Sequence, residues 1–209
     1  MKPVLPLLGI TLAAAAATPL SAQASPWLVR FRAVAIQPAD KSDAIPSLSV
    51  PADAIHVSKK TIPEVDISYF FTPNFSAELI LTYPQEHDVT LSGTKLGTFK
   101  HLPPTLTAQW HFLPGAAFDP YLGAGVNLTL ISGVSLAVPG VGPLDLSSSS
   151  LGGAVQVGAD IKLSGSWFLN VDAKYVKLKS DVKLKASGAK VSTVNVDPWL
   201  IGVGIGYRF

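Results

Sequence analysis

Residues 195–209 read Asn195-Val196-Asp197-Pro198-Trp199-Leu200-Ile201-Gly202-Val203-Gly204-Ile205-Gly206-Tyr207-Arg208-Phe209. Large apolar side chains fall on every second position from Trp199 to Phe209. Leu200, Gly202, Gly204, Gly206 and Arg208 fall between them. A period of two marks a strand with two unlike faces. Here one face is wholly apolar and the other is small or charged, so the second cannot be an ordinary hydrophobic core. The arrangement inverts that of a soluble barrel and suits lipid outside with a packed or watery lumen inside. The competing reading, a terminal strand of a soluble sandwich, loses ground because the same pattern recurs along the chain.

The bulk numbers agree. A chain of 209 residues fits one domain, and a net charge of +2 provides no basic stripe for a nucleic acid. There is no cysteine, which excludes a disulfide scaffold and thiolate chemistry. Mean hydropathy is positive. Yet beyond the N-terminus no apolar run is long enough for a spanning helix. A closed barrel is the other structure that satisfies its backbone in lipid. Residues 1–24 read as a secretory signal: Lys2, the apolar segment Val4 to Ala17, and the small-x-small site Ala22-Gln23-Ala24. The barrel domain is then 25–209, starting at Ser25.

Seven further strands precede the last. The first, Trp27 to Gln37, turns Trp27, Val29, Phe31, Ala33 and Ala35 outward and Leu28, Arg30, Arg32, Val34 and Ile36 inward. Each arginine would cost about 2–4 kcal/mol at the lipid midplane, so this face is the lumen. The others run over Thr61 to Phe71, Phe75 to Tyr83, Pro104 to Phe112, Pro120 to Leu130, Ser150 to Leu163 and Trp167 to Leu178. Tight turns are expected at Thr72-Pro73-Asn74, Leu113 to Asp119 and Ser164-Gly165-Ser166. Extended loops are expected at Pro38 to Lys60, Pro84 to Pro103 and Ile131 to Ser149, with a lysine-rich hairpin at Lys179 to Thr193. A bulge is expected near Asp197-Pro198. Trp27, Phe71, Phe75, Trp110, Phe112, Trp167, Tyr207 and Phe209 gather at the turn end, and Tyr83 and Tyr175 at the loop end, as two interfacial girdles do. The fold predicted is all-β: an eight-stranded antiparallel transmembrane β-barrel with short periplasmic turns and long extracellular loops.

The mature chain resembles the OmpW/AlkL family of small outer-membrane barrels. The resemblance is carried by Trp27-Leu28-Val29-Arg30, by Asp119-Pro120-Tyr121-Leu122-Gly123-Ala124-Gly125-Val126-Asn127, and by Asp197-Pro198-Trp199 with the Gly202-x-Gly204-x-Gly206-Tyr207-Arg208-Phe209 ending. It implies a narrow, largely apolar channel for small hydrophobic molecules, with release sideways through the barrel wall. The loops vary within that family, so ligand identity does not carry over. Tyr207 and the terminal Phe209 look like the signal by which the outer-membrane assembly machinery recognises its barrels. Lipid and lipopolysaccharide are the surrounding partners. The sequence sets no oligomeric state.

Eight strands leave a lumen just wide enough to be filled by side chains. Arg30, Arg32, Lys174, Glu64, Asp66, Glu78 and Asp172 face it, with Asp160, Lys162 and Arg208, and opposite charges at one depth pair into a plug. Glycines 202, 204 and 206 face Arg30 and Arg32 across the closure seam. Toward the loops the inward positions turn apolar or weakly polar: Val34, Ile36, Ile62, Ile80, Thr82 and Leu200. These are the expected lining of a hydrophobic ligand channel, with help from the apolar loop Leu136 to Leu146. Prolines 84 and 104 remove ladder donors near this level and mark a candidate lateral opening. The alternative is a structural or adhesive barrel with a fully packed lumen. Ser and His are present, but no spacing singles out a nucleophile and base. Glu86-His87-Asp88 reads as a solvated loop triplet rather than a metal site. No cofactor and no metal is called for.

Overall fold

The structure, a computed structural model, describes residues 25–39, 41–45 and 50–209; the expected signal segment 1–24 lies outside the described residues. The strands are β1 (Trp27–Gln37), β2 (Lys41–Ser42), β3 (Ile55–Val57), β4 (Lys60–Phe70), β5 (Phe75–Leu81), β6 (Gln85–Leu91), β7 (Thr94–Leu102), β8 (Thr105–His111), β9 (Phe118–Val138), β10 (Gly142–Leu146), β11 (Ser149–Ser164), β12 (Trp167–Val176), β13 (Lys179–Leu184), β14 (Lys190–Asn195) and β15 (Trp199–Arg208). The wall runs β1-β4-β5-β8-β9-β11-β12-β15 and closes where β15 pairs β1, every neighbour antiparallel. The structure is thus the predicted all-β closed barrel of eight antiparallel strands.

The alternation read from the sequence is the alternation of the wall. Outward residues such as Phe31, Leu106, Val126, Leu151, Val203 and Ile205 are exposed, Leu151 to 72%. In water such a surface would be a gross liability; in lipid it is the required one. At the closure seam Arg30 pairs with Gly206, Arg32 with Gly204 and Val34 with Gly202. A Cβ on Gly204 would lie 2.0 Å from the Phe31 carbonyl oxygen, so only glycine lets the seam close beside Arg32. Trp199 joins Tyr175 at the loop end of the wall, ring centroids 5.4 Å apart, an aromatic pair in the position of an interfacial girdle.

Two expectations are corrected. The stretch Pro84 to Pro103 is not a loop. It is the hairpin β6–β7, whose β7 pairs the upper half of β9, itself 21 residues long. Likewise the stretch Ile131 to Ser149 continues β9 and adds β10, which pairs β9 and β13. Together with β14, β2 and β3 these strands extend the barrel beyond the membrane. The outer face of the hairpin is charged, with Lys95 on Asp88 at 2.6 Å and Lys100 near Glu86 at 3.7 Å, so lipid ends below it. Its inner face buries Val89 and Phe99 with Ile55, Val57, Ile131, Leu136, Leu144, Val182 and Val194. At Asp197, where a bulge was expected, the chain takes a left-handed turn (φ 32°) between β14 and β15. The Asp197 carboxylate accepts from the Leu178 amide at 2.9 Å and pairs with Lys177.

Candidate functional site

The lower half of the lumen holds a network of buried charges. Arg30 is fully buried. Its Nε and Nη2 donate to the two oxygens of Asp160 at 3.1 and 2.6 Å, and its Nη1 donates to Glu78 at 2.6 Å and Ser68 at 2.8 Å. One turn of the alternation higher, Arg32 lies 2.6 Å from Asp66, 2.8 Å from Glu64 and 3.4 Å from Asp172. Lys174 reaches Glu64 at 3.3 Å. Neutral groups complete the set: Gln156 donates to Glu78 at 3.2 Å, Asn170 to Asp160 at 2.9 Å, and the Tyr121 hydroxyl to Asp172 at 3.2 Å. Every charge predicted for the plug, Arg30, Arg32, Glu64, Asp66, Glu78, Asp172 and Lys174, therefore lies in one network. Lys162 does not join it: the ladder is irregular between Lys162 and Ser164, and the side chain ends exposed at the periplasmic rim. Arg208 sits over the Phe70 ring at 4.1 Å, at the same rim.

Above the plug the lumen turns increasingly apolar toward the extracellular end. A lower cavity of about 30 Å³ is floored by Glu64 and Lys174 and walled by Ile36, Ile62, Thr82, Pro103, Thr105 and Leu200. An upper cavity of about 50 Å³ lies inside the extracellular extension, among Val57, Phe99, Leu136, Leu144, Val182 and Val194. His101, Thr129 and Leu178 line both, so the two are stacked chambers of one compartment. Of the six predicted lining residues, Ile36, Ile62, Thr82 and Leu200 border the lower chamber. Val34 packs with Ile36, Ile62, Ala154, Val176 and Leu200 in its wall. Ile80 is buried, opposite Asp66 and Thr105, but borders neither chamber. The apolar stretch Leu136 to Leu146, read from the sequence as a loop beside the channel, supplies Leu136, Leu144 and Leu146 to the upper chamber, while the hairpin residues that complete it lie in a stretch read only as a polar loop. The alternating Val89 and Phe99 were the available signal.

The wall beside the lower chamber is interrupted. β5 and β8 pair as far as Ile80 opposite Thr105, and β6 and β7 resume at Gln85 opposite His101. No ladder pair joins Leu81–Pro84 to Leu102–Pro104 among the described residues. Pro84, Pro103 and Pro104 have no N–H to give. Asn127 holds the far lip, donating to Thr105 Oγ1 at 2.8 Å and to the Pro103 carbonyl at 3.2 Å. Thr82 ties the near lip by donating to the Pro63 carbonyl at 2.8 Å. Thr82, Pro103 and Thr105 border both gap and chamber.

The histidines fall into different places. His111 is buried low in the lumen, Nδ1 2.9 Å from Asp119. His87 and His101 stack on the inner face of the β6–β7 hairpin, ring centroids 4.8 Å apart. Burial, then the neighbouring His87 charge, pushes the His101 pKa down to about 3; burial also lowers His87. Glu86 and Asp88 point outward while His87 points inward, so the triplet cannot converge on an ion. Among the described residues no group of three or more His, Cys, Asp or Glu side chains is placed to hold a metal.

A closed eight-stranded barrel with an apolar outer face and a lumen crossed by buried ion pairs is a small outer-membrane barrel. The chain belongs to the OmpW family, whose profile matches residues 23–209. It is 40% identical over 194 residues to an uncharacterised outer-membrane protein of Sinorhizobium fredii, covering 91% of this chain and 82% of that one. It is 34% identical to outer membrane protein W of Vibrio cholerae, with 95% of each chain covered. The crystal structure of the outer membrane protein OprG from Pseudomonas aeruginosa superposes with a TM-score of 0.75 at 29% identity, over 89% of this chain and 97% of that one.

Proposed function

We propose that the barrel is a passive conduit for small hydrophobic molecules, taken up at the extracellular chamber and released sideways into the outer membrane. The observation that carries this reading is the coincidence of the lower chamber with the ladder gap. An apolar solute in that chamber has the ion network beneath it and, at Thr82, Pro103 and Thr105, an opening in the wall beside it. Crossing the floor would require parting buried ion pairs; leaving sideways requires only moving two proline-bounded lips. A structural or adhesive barrel, the alternative, would have a fully packed interior with no ligand-sized cavity on its outer side.

The test is uptake of an apolar aromatic tracer by cells carrying the variant Thr82→Cys with Pro103→Cys, before and after treatment with a short thiol crosslinker. Cells carrying the uncrosslinked protein take up tracer faster than cells lacking it, and crosslinking returns uptake to that background. Full uptake through the crosslinked protein would exclude this lateral exit. Equal uptake with and without any protein would exclude the conduit itself.

A further inference from the structure

The upper chamber is apolar except at its floor. His101 borders both chambers and is 8% exposed, and its Nδ1 has no hydrogen-bond partner in the protein. Ser180, 5% exposed on the same chamber, has an unpartnered Oγ. Behind His101, His87 leaves Nε2 unpartnered, and beside it Gln85 leaves Oε1 unpartnered, both residues almost wholly buried. Buried polar atoms without partners are uncommon, and each costs about 1–3 kcal/mol if left so. His101 and Ser180, the two that line an otherwise greasy compartment, call for a ligand; His87 and Gln85 line neither chamber and stand behind His101, His87 stacked on its ring and Gln85 opposite it across the hairpin.

The sign of what is missing follows from the partners that are present. His87 Nδ1 lies 2.8 Å from the Ser58 carbonyl oxygen, which only accepts, so Nδ1 carries the proton and Nε2 is a bare acceptor. Gln85 Nε2 donates to the Tyr83 carbonyl at 2.8 Å, which fixes the amide orientation and leaves Oε1 an acceptor. The two imidazoles are stacked, 28° between planes, and so cannot bond edge to edge. His101 and the Ser180 hydroxyl can each donate or accept. Of the four only His101 and Ser180 face the chamber, and since each can do either, the chamber suits a neutral group that both donates and accepts, at the end of an apolar body.

Resting on the conduit reading, we propose that His101 and Ser180 on the upper chamber, with His87 and Gln85 packed behind His101, form a hydroxyl-recognition site, so that the conduit favours singly hydroxylated apolar molecules, phenols or short alcohols, over the parent hydrocarbons. The low pKa of His101 keeps its ring neutral, which suits a neutral hydroxyl and not a carboxylate. The body of such a ligand lies among Val57, Leu136 and Val182 of the chamber wall.

Phenol and toluene are near-isosteric and differ by hydroxyl against methyl, which makes them the probes. Their binding is measured for the full barrel in lipid nanodiscs, with 15N-labelled histidine observed by NMR. Phenol shifts the ring-nitrogen signals of His87 and His101 saturably, and toluene leaves them in place. His101→Phe lowers the phenol-to-toluene affinity ratio about fivefold, the worth of one net hydrogen bond, while toluene binding persists. Taking the ratio cancels any general change in chamber size or membrane partitioning. Histidine signals indifferent to phenol would overturn the proposal, showing water to be the only occupant of the site, and so would an unchanged ratio in His101→Phe. Binding of neither probe would instead overturn the conduit reading, and this inference with it.

Discussion

Arg32 stands among four carboxylates: Asp66, Glu64 and Asp172 within 3.4 Å, and Glu78 at 3.8 Å. None of these groups has water to fall back on, so the value of the arginine lies mainly in what its absence would leave behind. Removing one member of a buried ionic network costs about 3–5 kcal/mol, because the partners stay charged and unpaired. Arg32→Ala is therefore expected to lower barrel stability by that amount, read as a shift in the urea unfolding midpoint in lipid vesicles. Lys162→Ala, at the exposed rim, leaves the midpoint where it is. A similar small effect for both would mean that the plug is hydrated and adjustable. That these charges face inward was legible from alternation alone, since no charge on that strand could face lipid. Their pairing was not, because Arg30 meets Asp160 from 130 residues away across the closed wall, and such contacts depend on the register of every strand between.

The β6–β7 hairpin behaves differently from the wall strands because water, not lipid, bathes its outer face. His87 and His101 are buried on its inner face, where desolvation disfavours the charged form of both. Their folded pKa values lie below the ordinary 6.5. The unfolded hairpin thus binds protons more readily than the folded one, and the stability this contributes is complete above pH 6.5. It is lost progressively below that, down to about 3 for His101. A spin label at the hairpin tip, on Gly93→Cys, should stay equally ordered at any pH above 6.5 and loosen as the pH falls further. Replacing both histidines by phenylalanine should remove the acid-dependent part, and loosening that persists in the double variant would assign it to other groups. The eight wall strands could be read from sequence because lipid enforces apolar side chains on alternate positions without exception. The hairpin escaped that reading because its inner positions mix Gln85 and His87 with Val89, its outer ones are charged, and prolines 84 and 103 bracket it like a loop.

For the whole molecule the decisive feature is that the two halves of the lumen solve opposite problems. Below, two levels of ion pairs from five wall strands cross the lumen; above, side chains from the wall and the extension leave two stacked chambers, the upper one apolar. An aqueous solute gains nothing in the chambers and meets the plug beyond them. On the proposed route an apolar solute would be stabilised in the chambers by roughly 25 cal/mol for each Å² of its surface removed from water, and the same term would draw it onward into lipid. The asymmetry makes a paired prediction. Liposomes containing the barrel should swell in sugar or amino-acid solution no faster than empty ones, while a small apolar tracer trapped by a fluorescent acceptor inside should arrive faster. Substituting Ile62→Asp, on the lower chamber wall beside Glu64, should abolish the apolar advantage by adding an unpaired carboxylate to the path, with the barrel still assembled as judged by heat-modifiable migration. Sugar-driven swelling by the unsubstituted protein would mean that the ion network opens into a pore. Apolar uptake undiminished in the Ile62→Asp variant would move the path away from the lower chamber and with it the argument that the ladder gap is the exit.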